Sequence, residues 1–354
     1  ALIGANINER SNSSTTTTVT GLDIPTFYNL SNSGSTPSVE ESSSLRRLVG
    51  VFGELQMGYD EMLYLTLSAR NDWSSTLPLD NNSFFYPGAT LSFVFTELFP
   101  ESVTDVLTFG KVRLAYGMTG NDASPYMIDP FYAKSEASTT FSTNSFPLGG
   151  LNAFTLGNLL GNNKLSPEIT TEYEVGGNLE FFKGRISIDA AYYNRISNKQ
   201  IFSLNMDPAS GYSAQNMNLG EISNKGVELL VGLKPVATKN FKWNLSWTYT
   251  KNVNNVVSLP EELGGETNLA GLSSCYLAAV VGKPIGFKTY TALKDPNGNL
   301  VVNSANGLPQ QSEKMEYIGK MDYDYEMGIS NTLTYKGLSL GFDIDIRQGG
   351  LMFS

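Results

Sequence analysis

The sequence predicts an all-β fold: a transmembrane antiparallel β-barrel, of which this chain supplies about eleven strands. Three observations predict it. Apolar and polar residues alternate with period two over segments of about 9–14 residues. Short and long connections alternate strictly along the chain, and aromatic residues gather at the short-turn ends of the strands.

The strands follow in order. ALIGANINER at 1–10 is the first, and 51–59 the second. In 62–70, Leu63, Leu65, Leu67 and Ala69 take one face, with Thr66, Ser68 and Arg70 opposite. Segments 90–95, 111–117, 172–181, 185–193 and 227–233 repeat the pattern. FKWNLSWTYT at 241–250 places a large apolar or aromatic side chain at every odd position and a polar one at every even position. Segment 326–335 follows, and LSLGFDIDIR at 338–347 alternates without exception. Successive strand side chains point to opposite faces, so each segment has one apolar and one polar surface. Soluble strands usually run about 5–6 residues, whereas a membrane-spanning strand needs about 9–11.

Tight turns fall at 59–62, 182–185 and 335–338, and slightly longer ones at 235–240 and about 99–106. The other connections, about 11–43, 72–83, 120–167, 206–221 and 255–325, are long and rich in Ser, Asn, Thr, Gly and Pro. A β-sandwich has no reason for this alternation; an outer-membrane barrel has short periplasmic turns and long extracellular loops. Tyr59, Phe99, Phe109, Phe181, Phe182, Phe241 and Tyr335 sit at the short-turn ends, where an aromatic girdle meets the bilayer edge. Bacterial single-chain barrels have an even strand count, and an open sheet leaves bare edges in lipid. The chain is therefore expected to be part of a larger barrel.

Composition narrows the function. The 354 residues carry a net charge of −10, 16% charged residues against roughly 25% in an average domain, one cysteine and no histidine. Without histidine there is no Ser-His-Asp or Cys-His catalysis and no histidine-built metal site. Cys275 alone cannot form an internal disulfide. The acidic balance argues against nucleic acid. The start lacks both an initiating Met and a signal-peptide layout, so Ala1 is not expected to begin the gene product. No apolar stretch approaches the length of a membrane helix, the nearest being 275–281.

The polar faces carry Glu54, Arg70, Lys111, Arg113, Glu172, Glu174, Glu180, Asp189, Glu228, Asp343, Asp345 and Arg347. Each would cost several kcal/mol in lipid, so they are expected to face the lumen, against water or a polar plug. Asp295-Pro-Asn-Gly-Asn299 has the first half of a calcium loop but no bidentate Glu, so a turn explains it better and no metal is expected. Asn244-Leu-Ser246 matches a glycosylation sequon inside a strand, as expected of a chance match.

RNDWSSTLP at 70–78, FYPG at 85–88 and LSFVF at 91–95 resemble the barrel of SusC/RagA-type TonB-dependent transporters of Bacteroidota. IPTFYNLS at 24–31, VRLAYG at 112–117, Asn121, LSPEITTEYE at 165–174, GRISID at 184–189, NKGVEL at 224–229, VGKPIG at 281–286 and QGG at 348–350 agree, in family order. The resemblance implies a plugged barrel of about 22 strands, of which residues 1–354 form part of one domain, approximately strands nine to nineteen. It implies that the plug, TonB box and closing strand lie outside this chain. It further implies energised import of large nutrients, oligosaccharides or else oligopeptides, with a SusD-like surface lipoprotein as lid. The TonB–ExbB–ExbD motor would displace the plug. No cofactor or enzymatic step is implied; a passive porin or surface adhesin is the other reading, and siderophore uptake fits the motifs less well.

The long loops then become candidates for contact with lid or ligand, because sugars stack on aromatic rings and peptides need apolar pockets. Loop 120–167 offers Tyr126, Phe131, Tyr132, Phe141, Phe146 and Phe154; loop 206–221 offers Tyr212 and Asn216; loop 255–325 offers Tyr276, Phe287 and Tyr290.

Overall fold

A computed structural model describes residues 1–134, 136–138, 143–146 and 148–353. Eleven long strands follow one another in chain order through a single sheet. They are β1 (Leu2–Thr18), β2 (Ser38–Tyr59), β3 (Leu63–Ser74), β4 (Ser83–Val94), β5 (Leu107–Asn121) and β6 (Glu168–Phe181). They continue with β7 (Ile186–Asn205), β8 (Ala214–Ala237), β9 (Phe241–Ser258), β10 (Tyr325–Tyr335) and β11 (Leu338–Gln348). Every neighbouring pair among them is antiparallel. A two-residue strand, Leu159–Leu160, adds in parallel at the start of β8. Among the described residues β1 and β11 each pair on one side only, so the sheet is an open wall.

Several strands are longer than the alternation predicts: β1 and β2 have 17 and 22 residues, β7 and β8 have 20 and 24. Backbone ladders need no apolar face, so the hairpins continue beyond the membrane, where Ser, Thr and Asn occupy both faces. The long connections shrink accordingly to 19–37, 75–82, 122–167, 206–213 and 259–324. Loop 259–324 folds its own four-stranded sheet from Glu266–Leu272, Cys275–Val280, Gly286–Thr289 and Glu316–Lys320. Ala278, Ala279 and Phe287 are buried in it. No helix among the described residues is long and apolar enough to cross a membrane, which leaves crossing by strands untouched.

Directly opposed residues share a face of a sheet. The register therefore carries one face across the wall through Glu54, Ser68, Gly88, Gly117, Glu172, Arg195, Asn224 and Asn254, each opposite the next. Further along, Glu228 lies opposite Thr250, Thr250 opposite Glu326, and Glu326 opposite Arg347. The other face runs Leu65, Leu91, Leu114, Val175, Tyr192 and Val227. Binary patterning, summed over the strands, thus gives one polar and one apolar surface.

The girdle differs from expectation at one residue. Phe109 lies opposite Glu180 and so belongs to the polar face. Its place on the apolar face is filled by Phe95, whose ring covers Gly110 so closely that a Cβ there would lie 2.3 Å from it. Phe99 meets the Phe95 ring edge-on at 5.8 Å. Phe109 sits one residue out of phase, and that offset alone decides its face.

Among the described residues no second layer covers either face of the wall, and the packed core sits at the long-loop end. There Leu77, Phe84, Ala123 and Leu165 are buried together against Leu48, Met127 and Ile201.

Candidate functional site

All twelve charged residues expected in the lumen, Glu54, Arg70, Lys111, Arg113, Glu172, Glu174, Glu180, Asp189, Glu228, Asp343, Asp345 and Arg347, lie on the one polar face. That face is hollow: a concavity of about 930 Å³ spans β1 to β8, with Arg70, Tyr86, Glu172, Glu174 and Arg195 in its wall.

The charges interlock. Arg113 reaches Glu174 at 2.9 Å, Asp189 at 3.0 Å and Asn178 at 3.2 Å, so one guanidinium on β5 ties β6 to β7. Its planar fork of donors suits such multiple acceptance. Asn178 also donates to Asp189. Arg195 pairs with Glu172. Arg70 pairs with Asp72 at 2.7 Å and donates to Asn6 at 2.7 Å, while the Tyr86 hydroxyl donates to Asp72. Arg347 pairs with Asp345 at 3.1 Å and Glu326 at 3.5 Å. Among the described residues no salt bridge reaches Glu54, Glu228 or Asp343, although Glu54 accepts from Gln56 at 2.7 Å. A further polar ladder joins Tyr193, Asn252, Asn224 and Asn254. Asn254 then accepts the backbone N–H of Ile285 at 3.0 Å, anchoring loop 259–324 to β9.

At the long-loop end Asp122 accepts from Arg46 at 2.8 and 2.6 Å, from Thr76 at 3.1 Å and from Ser74. Burial pushes the Asp122 carboxyl up, but these donors outweigh it and the net value lies below the usual carboxylate range. Neither Asp122 nor Arg46 was signalled by periodicity, since both stand where the membrane pattern has ended. Asp72 and Tyr86 were legible only as members of 70–78 and 85–88.

The loop candidates divide. Tyr126, Phe131 and Tyr132 are 56%, 58% and 73% exposed. Tyr126 and Phe131 line a cavity of about 520 Å³ together with Ser42, Ser43 and Thr76. The Tyr126 hydroxyl accepts the Leu45 N–H at 3.1 Å, fixing the ring against the edge of β2. Tyr132 and Phe154 stand on short paired strands, Tyr132–Lys134 and Phe154–Leu156. Tyr212, Tyr276 and Tyr290 are not brought into that cavity. Asn216 is a correction: it lies in β8, not in a loop, and is 1% exposed. Strand pairing of β8 with β7 continues past it, and its carbonyl accepts from Asn162 at 2.9 Å. Phe287 is likewise buried inside the loop sheet, and Phe141 lies outside the described residues. Asp295 accepts the backbone N–H groups of Asn297 and Asn299 at 2.9 and 2.8 Å, so its carboxylate closes its own turn.

Residues 3–310 match the family described as TonB dependent receptor-like, beta-barrel. The chain belongs to this family. It is a segment of an outer-membrane TonB-dependent receptor barrel, with SusC among its relatives in sequence. The TonB-dependent receptor P26 of Formosa agariphila is 29% identical over 357 residues, covering 94% of this chain and 35% of that protein. The TonB-dependent receptor SusC of Bacteroides thetaiotaomicron is 26% identical over 319 residues, 84% of this chain and 31% of its own length. The fold matches the solved structure of the RagAB peptide transporter with a TM-score of 0.77 at 20% identity, over 97% of this chain and 38% of that one. The chain thus spans about a third of the length of the curated relatives it matches.

Proposed function

We propose that residues 1–354 form the middle and later wall of one barrel domain in a SusC-like, TonB-dependent importer of oligosaccharides. The single observation that carries this reading is the interlocked polar face, hollow by about 930 Å³, backed by a continuous apolar face. Such a wall suits a large barrel whose interior holds a polar plug, and the twelve charged residues would line that lumen. No covalent chemistry is required of any residue here. Import energy would come from TonB–ExbB–ExbD acting through the plug, and a SusD-like lipoprotein would close over the long loops. Tyr126, Phe131 and Tyr132, exposed at that end, suit stacking on sugar rings.

The test is purification of the whole protein with its native partner, followed by mass spectrometry of what is retained. A co-purifying lipoprotein and a bound oligosaccharide are expected. A bound oligopeptide would replace the substrate class and keep the machine. Recovery without any lipoprotein would overturn the SusC-like reading.

A further inference from the structure

The β1–β2 hairpin outgrows its neighbour, and the difference leaves an edge. β2 pairs with β1 from Ser38 onward, but β3 joins it only from Leu48, which lies opposite Ser74. Above that point the groups of β2 on the β3 side meet loops instead. Arg47 donates its N–H to Ser75 Oγ at 2.9 Å and accepts the Ser75 N–H at 2.9 Å. Leu45 donates its N–H to the Tyr126 hydroxyl at 3.1 Å. Alternate residues of a strand aim their N–H and C=O groups to the same side, and the register with β1 is unbroken. Ser43, Glu41 and Val39 therefore aim theirs to the β3 side as well. Among the described residues nothing pairs with these groups, and all three residues are exposed.

Space and charge at this edge point to one kind of occupant. The cavity of about 520 Å³ has Ser43 on one wall and Ser75 and Thr76, which follow β3, on another. It thus occupies the lane that β3 vacates, where an added strand would run ~4.8 Å from β2. Ile128 and Pro130 give it an apolar side. Glu40 and Glu41 stand on opposite faces of the edge, and Asp129 lines the cavity. The two cations of β2, Arg46 and Arg47, are taken by Asp122 and Glu9. Among the described residues no salt bridge reaches Glu40, Glu41 or Asp129.

We infer that this edge takes an extended, basic segment of the surface lipoprotein as an added strand of about 5–6 residues. Main-chain hydrogen bonds to Val39, Glu41 and Ser43 hold it. An apolar side chain of the segment packs against Ile128 and Pro130, and the three carboxylates select Lys or Arg. An oligosaccharide has no amide ladder to offer, so cargo of the proposed class does not fill the edge. The inference rests on the reading of a lipoprotein lid and adds where and how the lid is held.

The test uses the full-length transporter and the lipoprotein that co-purifies with it. Hydrogen–deuterium exchange of peptides spanning 39–45 should slow at least tenfold in the complex relative to the transporter alone. Ser43→Pro removes an edge donor without touching the β1 ladder, and lipoprotein affinity should fall about tenfold. Ser43→Ala keeps the backbone and should bind as wild type does. Glu40→Lys/Glu41→Lys keeps every backbone group and should weaken binding about threefold. Heat-modifiable migration on gels shows that each barrel has folded, and the double lysine variant decides if Ser43→Pro has not. Binding unchanged in these variants, or equal exchange with and without lipoprotein, would overturn the added strand and leave the lid. Slow exchange already present without lipoprotein, given by cargo or by a second copy, would overturn it as well. A wild-type transporter that retains no lipoprotein would overturn the lid reading itself, and the inference with it.

Discussion

Arg46 and Asp122, 76 residues apart in sequence, meet in a two-point ion pair at 2.8 and 2.6 Å at the top of the wall. The Asp122 side chain is 4% exposed. This pair fastens the start of loop 122–167 to β2, while Ser74 and Thr76 hold the same carboxylate from the β3 side. Removing it by Asp122→Ala leaves a half-buried guanidinium and two hydroxyl donors without their acceptor, and is expected to cost ~1–3 kcal/mol. The measurement is the apparent melting midpoint of the full-length protein; a change within error would refute the anchoring role.

The same carboxyl gives a pH dependence. Its folded value lies below its unfolded one, so its stabilisation is complete above about pH 4 and drains away as pH falls through the folded value. Between pH 5 and pH 2 the wild type should lose more stability than Asp122→Asn. Parallel melting curves for the two would contradict this.

On the polar face, Arg113 bridges Glu174 and Asp189. A double-mutant cycle of Arg113→Ala and Asp189→Asn should show a coupling of ~0.5–3 kcal/mol. Additive effects on the melting midpoint would mean that the bridge holds nothing together.

Facing can be tested at one depth. Val231 and Trp247 oppose each other on the apolar face, and Gly232 and Ser246 on the polar one. Val231→Arg should cost ~2–4 kcal/mol near the bilayer midplane and deplete the protein from the outer membrane, whereas Ser246→Arg should be tolerated. Equal levels of the two variants in outer-membrane fractions would invert or dissolve the assignment of faces.

The exposed rings at the long-loop end carry a fifth expectation. Phe131→Ala and Tyr132→Ala should weaken ligand binding by the complete transporter about fivefold or more each, with the melting midpoint unmoved. Full binding by the double variant would remove these rings from the ligand site.

The open edges carry the last. β1 and β11 leave unpaired backbone groups that lipid cannot satisfy, so residues 1–354 expressed alone should aggregate. A closed, detergent-soluble monomer of this segment would show that the wall can complete itself.

The sequence by itself determined the number of long strands, the order of short and long connections and the face of the alternating residues on the membrane-spanning strands. The reason is that lipid on one side and a polar lumen on the other impose period two on every strand, a local signal that Phe241 to Thr250 or Leu338 to Arg347 displays without help from neighbours. The same signal fails where the bilayer ends. Nothing in the alternation places Asn216 inside β8 or extends β2 by ten residues past its partner β3, because water accepts either face. Phe109 stands two residues before Lys111 and four before Arg113, so period two carried back through the turn end already puts it on their polar face, as its pairing with Glu180 shows. Which charges meet was decided by tertiary structure alone. Arg113 sits opposite Gly176, whose missing side chain leaves room for the guanidinium to reach Glu174 and Asp189 on two different strands. The register between strands supplies that information, and no single strand contains it.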